Sequence, residues 1–167
     1  SSPVLEKMNR GYTREWYLER IDAIKRIIPS CSISTDIITG FCGETENEHK
    51  ETLSLMNKVK FDFAYMFFYS ERPKTLAQRK YEDNIPLKTK KARLQEVIDV
   101  QREHSLESNK RQIGNVVKVL VEGPSKKSND FFCGRNSENM MIVFPRENVK
   151  KGDYILVRIN DCTAATL

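Results

Sequence analysis

The sequence has no apolar run approaching the ~20 residues that a membrane-spanning helix needs, and a membrane partner is not expected. Its first residues, Ser1, Ser2, Pro3 and Val4, lack the basic-then-apolar order of a signal peptide. A cytoplasmic setting is the resulting expectation. Cysteine is scarce and scattered. Cys31, Cys42, Cys133 and Cys162 never stand two or three residues apart, so no local metal or cluster motif is present. A structural disulfide is not expected in a cytosolic chain, and the four read as packed or surface thiols. His49 and His104 both fall in helical patterns and read as solvated or packed side chains, not as ligands.

What is present is ordinary for a globular protein: 39% apolar and 31% charged residues over 167 positions, room for one medium domain or two small ones. The net charge of +5 is unevenly spread. Residues 1–73 carry 10 Lys/Arg against 11 Asp/Glu, residues 74–112 carry 10 against 6, and residues 113–167 carry 8 against 6. The basic middle and end hint at a polyanionic partner, although charged faces are more often merely solvated.

Residues 13–28 predict a helix, with Thr13 as cap, Glu15 in the first turn, and Tyr17, Ile21, Ile24 and Ile28 at helical spacing. Residues 31–41 (CSISTDIITGF) predict a strand entering a glycine-containing loop, and residues 46–59 a second helix with Leu53, Met56 and Val59 as its stripe. Residues 61–69 (FDFAYMFFY) are apolar on both faces, which predicts a strand buried on both faces, the habit of parallel sheets. This βα alternation marks part of a larger α/β barrel or doubly wound sheet. Residues 70–86, with Pro73 and Pro86, read as loop. A long helix follows from residue 87 to about 111, with Leu94, Val97, Ile98 and Gln101 on one face and Lys90, Lys91, Arg93 and Arg102 over much of the rest. After Gly114 the texture changes to short strands at 116–121, 131–135, 140–144 and 154–159, separated by turn residues, which predicts a small β-barrel. The expected division is 1–86, a linking helix 87–112, and 113–167.

The stretch carrying most chemical information is residues 34–45 (STDIITGFCGET). It places Asp36 in an apolar strand, then two glycines and an acid where strand becomes loop. Ligands of parallel α/β sheets sit at such strand ends. Equally, Asp36 could bond neighbouring backbone while the glycines only turn the chain.

This stretch, taken with residues 8–13 (MNRGYT), 68–73 (FYSERP), 122–127 (EGPSKK), 134–136 (GRN) and the close at 164–167, resembles the C-terminal part of the MiaB-like methylthiotransferases, which are radical-SAM enzymes. The resemblance implies an α/β part followed by an all-β part: the end of a partial radical-SAM (β/α) barrel, a linking helix, and an antiparallel TRAM β-barrel that binds RNA. It implies S-adenosylmethionine and two 4Fe-4S clusters in the whole enzyme. The family's three-cysteine cluster motif is absent here, so the chain would be one piece, catalytically inactive alone, partnered by the cluster-bearing portion of the same enzyme. Asp36, Gly40 and Phe41 would line the cofactor site, although Cys42 stands where the family commonly has proline. Arg72 would face the same mouth and pair with a carboxylate or phosphate, its alternative being a loop-anchoring role. Arg10 is a weaker candidate of the same kind.

In the β part, Lys126, Lys127, Arg135 and Arg158 are candidates for RNA phosphates. Phe131 and Phe132 are candidates for stacking on unpaired bases, against the alternative of one core ring and one partly exposed ring. The leading implied reaction adds a methylthio group to C2 of an N6-prenylated adenosine next to a tRNA anticodon, with the anticodon stem-loop as partner. The alternatives are a methylthiotransferase acting on a ribosomal-protein aspartate or a threonylcarbamoyl adenosine, and a non-catalytic RNA-binding adaptor. The two-faced apolar strand at 61–69 speaks against the last.

Overall fold

A computed structural model describes residues 1–126, 128, 130–146 and 148–167, and the chain divides into two compact units, Ser1–Gln101 and Arg102–Leu167. The first is α/β and the second all-β apart from the end of one helix.

The α/β unit begins with α1 (Ser2–Lys7), which the sequence reading did not anticipate, and α2 (Arg14–Ile27). Thr13 caps α2, its hydroxyl accepting from the Trp16 amide at 3.3 Å. β1 (Ser34–Thr39) leads into α3 (Glu46–Val59), which a reciprocal capping box starts: the Thr45 hydroxyl accepts from the Glu48 amide while the Glu48 carboxylate accepts from the Thr45 amide. β2 (Phe63–Phe68) then pairs in parallel with β1, with Asp36 opposite Tyr65 and Ile38 opposite Phe67. A short α4 (Leu76–Lys80) interrupts the segment expected to be loop. Thr75 caps it, and five residues are too few to show a helical period. α5 (Leu87–Lys110) follows as expected.

One face of the β1–β2 pair is covered. Ile37 and Ala64 pack there with Ile21 of α2, Met56 and Val59 of α3, Phe61, and Val97 of α5. The expectation that residues 61–69 are buried on both faces is corrected: Phe63, Tyr65 and Phe67 are 51%, 57% and 55% exposed. Alternation along β2 turns these rings to the face that no helix of the unit covers.

The second unit holds β3 (Val116–Pro124), β4 (Phe131–Arg135), β5 (Met141–Pro145) and β6 (Tyr154–Arg158). Among the described residues they form one antiparallel sheet in the order β5-β4-β3-β6. The sheet curls around Val119, Val121, Phe132, Ile142, Phe144, Ile159 and Leu167. A bulge lies between Val121 and Gly123, and β3 and β4 approach so closely that a Cβ on Gly134 would collide with the Leu120 carbonyl oxygen. From β6 the chain crosses back to the opposite edge. There Leu167 donates to the Met141 carbonyl at 2.9 Å and accepts from the Val143 amide at 3.0 Å.

Candidate functional site

At the C-terminal end of β1, Gly40 has φ +68°, a left-handed conformation that costs a side-chain-bearing residue about 1–2 kcal/mol. The turn it opens is held by charge. The Glu44 carboxylate accepts from the Gly40 amide at 2.7 Å and from Arg93 Nη1 at 2.9 Å, and the same nitrogen donates to the Glu44 carbonyl at 3.0 Å. Both side chains are buried. Glu46 lies 3.6 Å from Arg93 Nη2. One turn earlier on α5, Lys90 runs beneath Gly40, its Cγ 2.6 Å from where a Cβ would stand. Its ammonium reaches both Asp83 oxygens at 2.6 Å and the Tyr69 carbonyl at 3.1 Å. The Gly43 amide donates to Asn84 Oδ1 at 2.9 Å. Burial pushes the Tyr69 phenol up to about 12, and the Cys42 thiol beside it adds to the shift. Lys90 therefore faces a neutral ring, 5.1 Å from its centroid, at any physiological pH.

Against this frame the residues singled out from sequence fall in different places. Asp36 is exposed and lines a cavity of about 310 Å³ beside β1, together with Arg10, Tyr12, Tyr17 and Val4. Phe41 is buried with Val4 and Cys42, edge-on to Tyr69 at 4.9 Å. The Gly40 amide is taken by Glu44. Arg72 is exposed in the segment after β2. The structure thus brings Asp36 and Arg10 to one cavity and places Phe41 in the packing beneath the loop.

All four cysteines are free thiols: Cys31 exposed, Cys42 buried, Cys133 and Cys162 half-buried. Among the described residues no three His, Cys, Asp or Glu side chains gather as a metal site. His49 is buried, with Nε2 3.0 Å from the exposed Glu96 carboxylate. Among the described residues no helix is long and apolar enough to cross a membrane.

In the β unit, Lys126 is exposed, and Lys127 lies outside the described residues. Arg135 is occupied internally: Nη1 donates to the Asn139 carbonyl at 2.8 Å, and Nε lies 3.4 Å from Glu122. Arg158 is exposed and has no side-chain partner among the described residues. Of the two rings, Phe132 is core at 6% exposure while Phe131 is 41% exposed.

The residues that sequence reading missed are Lys90 and Arg93. They are placed there with the polar part of α5, yet both are buried against the β1 loop. Their separation of three brings them to one helix face, but nothing in a helical pattern tells a buried cation from a solvated one.

Residues 110–167 match the TRAM domain. Over its full length the chain is similar to proteins named tRNA-2-methylthio-N(6)-dimethylallyladenosine synthase. It is 58% identical to that of Amoebophilus asiaticus, 56% to that of Christiangramia forsetii and 53% to that of Karelsulcia muelleri. The chain spans 35% of the length of the first two and 37% of the third. The family resemblance read from the motifs therefore holds along the whole chain.

Proposed function

We infer that the chain belongs to a MiaB-like methylthiotransferase, one that adds a methylthio group to C2 of an N6-prenylated adenosine next to the tRNA anticodon. The observation that carries this reading is similarity along every part of the chain to enzymes bearing that activity in their name. In this reading residues 1–86 complete a partial radical-SAM (β/α) barrel, 87–112 link, and 113–167 bind RNA. The parallel β1–β2 pair joined through α3, with helices against one face only, supports a barrel end whose other face looks inward.

S-adenosylmethionine, when bound in such an enzyme, supplies the group that removes the C2 hydrogen. A carboxylate and a guanidinium beside one cavity fit a zwitterionic ligand with hydroxyls, so Asp36 and Arg10 are the side chains of this chain that would hold it. Gly40 and Phe41 shape the loop at the strand end, and Arg72, exposed beyond β2, would meet a carboxylate or phosphate. The two 4Fe-4S clusters belong to the remaining portion of the enzyme, the chain's obligatory partner. Lys126, Lys127, Arg135 and Arg158 would supply the phosphate contacts that draw in the anticodon stem-loop. A tRNA substrate supports a cytoplasmic setting.

The test is to express the full-length protein containing this chain in cells lacking the modification and to digest their tRNA for mass spectrometry. The expected product is a 2-methylthio-N6-prenyladenosine that disappears with Asp36→Ala. A methylthiolated ribosomal-protein aspartate or threonylcarbamoyl adenosine in its place would redirect the assignment.

A further inference from the structure

Two residues that the sequence offers separately, Phe131 and Arg158, line one cleft of the β unit. It has a volume of about 390 Å³, within the ~300–1,000 Å³ range of small-ligand clefts. Its apolar walls come from Phe131, Phe144 and Val157, and its polar rim from Arg158, Asn160 and Asp161.

The cleft is preformed. It lies against the segment by which the chain returns from β6 to the far edge of β5, and that segment is tied down by its own bonds. The Thr163 amide donates to the Thr166 carbonyl at 2.8 Å, the Thr166 amide donates to Thr163 Oγ1 at 3.0 Å, Asn109 Nδ2 donates to the Thr163 carbonyl at 2.8 Å, and Leu167 is bonded to β5. Asp161 accepts from the Cys162 amide through Oδ1 at 2.7 Å, which fixes its carboxylate and leaves Oδ2 without a partner among the described residues.

We propose that this cleft takes a single unpaired nucleotide of the RNA, its base against Phe131 and its phosphate at Arg158. The proposal rests on the reading of the β unit as RNA-binding and goes beyond it by naming where and how one nucleotide is held. The chemistry matches part by part. A half-exposed ring beside apolar walls offers a π-face to any base. Asp161 can accept from an exocyclic amine, and the Asn160 amide can both give and accept at a base edge. Arg158 has no ion-pair partner among the described residues, unlike Arg135, whose Nη1 and Nε already face Asn139 and Glu122. The excess of 8 Lys/Arg over 6 Asp/Glu in residues 113–167, with Arg158 at the rim, favours a nucleic acid over a peptide as occupant.

The test titrates the full chain with a fluorescein-labelled stem-loop RNA and with the same stem closed as a continuous duplex, by anisotropy over a salt series. Phe131→Leu keeps the apolar volume and removes the aromatic face. It should weaken stem-loop binding about ten-fold, the scale of one lost base stack, and leave duplex binding unchanged. Arg158→Gln should lower the salt slope by about one ion. Lys126→Gln, a phosphate contact outside the cleft, should weaken both RNAs alike. Because Arg158 is exposed, its variant stays informative should Phe131→Leu perturb folding. Stem-loop binding by both cleft variants equal to that of the unsubstituted chain overturns the proposal and leaves the RNA-binding reading standing. No binding of either RNA by the unsubstituted chain at low salt overturns both.

Discussion

Gly40 shows how much one missing side chain carries. Its φ of +68° is open to glycine at little cost, and the volume a Cβ would take is filled by the stem of Lys90. Gly40→Ala should therefore cost about 1–2 kcal/mol in backbone conformation alone, and more if Lys90 gives up Asp83 in moving aside. Trp16 is the single tryptophan and lies in the α/β unit, so its fluorescence reports unfolding of that unit alone. The expected shift to lower denaturant should be absent in Gly11→Ala, where nothing lies within 4 Å of the added methyl and φ is not left-handed. Equal stability of the two variants would remove Gly40 from the conformational argument. At this scale the sequence offered Gly40 either as a close approach to a ligand or as a turn of the chain, and had no means of seeing which side chain fills the space it leaves.

The ties between the β1 loop and α5 are the element-scale feature of the α/β unit. A buried Glu44–Arg93 pair stabilises only through complete hydrogen bonding, because two charges leave water to form it. Removing one partner strands the other. Glu44→Ala and Arg93→Met should each destabilise the α/β unit by about 3–5 kcal/mol. The double variant should cost less than the sum, which a double-mutant cycle on Trp16 unfolding measures. Additive losses would mean that the pair does not couple the elements. Helices α2, α3 and α5 were legible from caps and apolar stripes, since those signals lie within one segment. The Glu44–Arg93 tie was not, because it joins positions 49 residues apart and depends on which face of α5 turns inward.

For the molecule as a whole, the uncovered face of β1–β2 is the main liability. Phe63, Tyr65 and Phe67 stand in a row on it beside the exposed Ile38. Among the described residues the sheet has two strands and hence two unpaired edges. Apolar rows of this kind mark surfaces that another part of a protein covers. The 167-residue chain by itself should associate with rising concentration in sedimentation velocity, and Tyr65→Lys with Phe67→Glu should shift it toward monomer. A monomer at all concentrations without substitution would show that the row is tolerated in water. Composition had led to the expectation of burial on both faces. The strand is apolar on both faces, and among the described residues only one of them is covered.

The sequence by itself determined the alternation of helix and strand up to residue 69, the long helix, and the change to short strands after Gly114, because each rests on a local period, a cap or a turn residue. It also carried the family resemblance, since motifs in a fixed order survive without any knowledge of contacts. Only the tertiary structure decided that Lys90 and Arg93 are buried, that Phe41 packs beneath the loop while Asp36 faces a cavity, and that Phe131 and Arg158 share a cleft. Burial and proximity are set by which surfaces close on one another, and a side chain's own sequence neighbours do not contain that information.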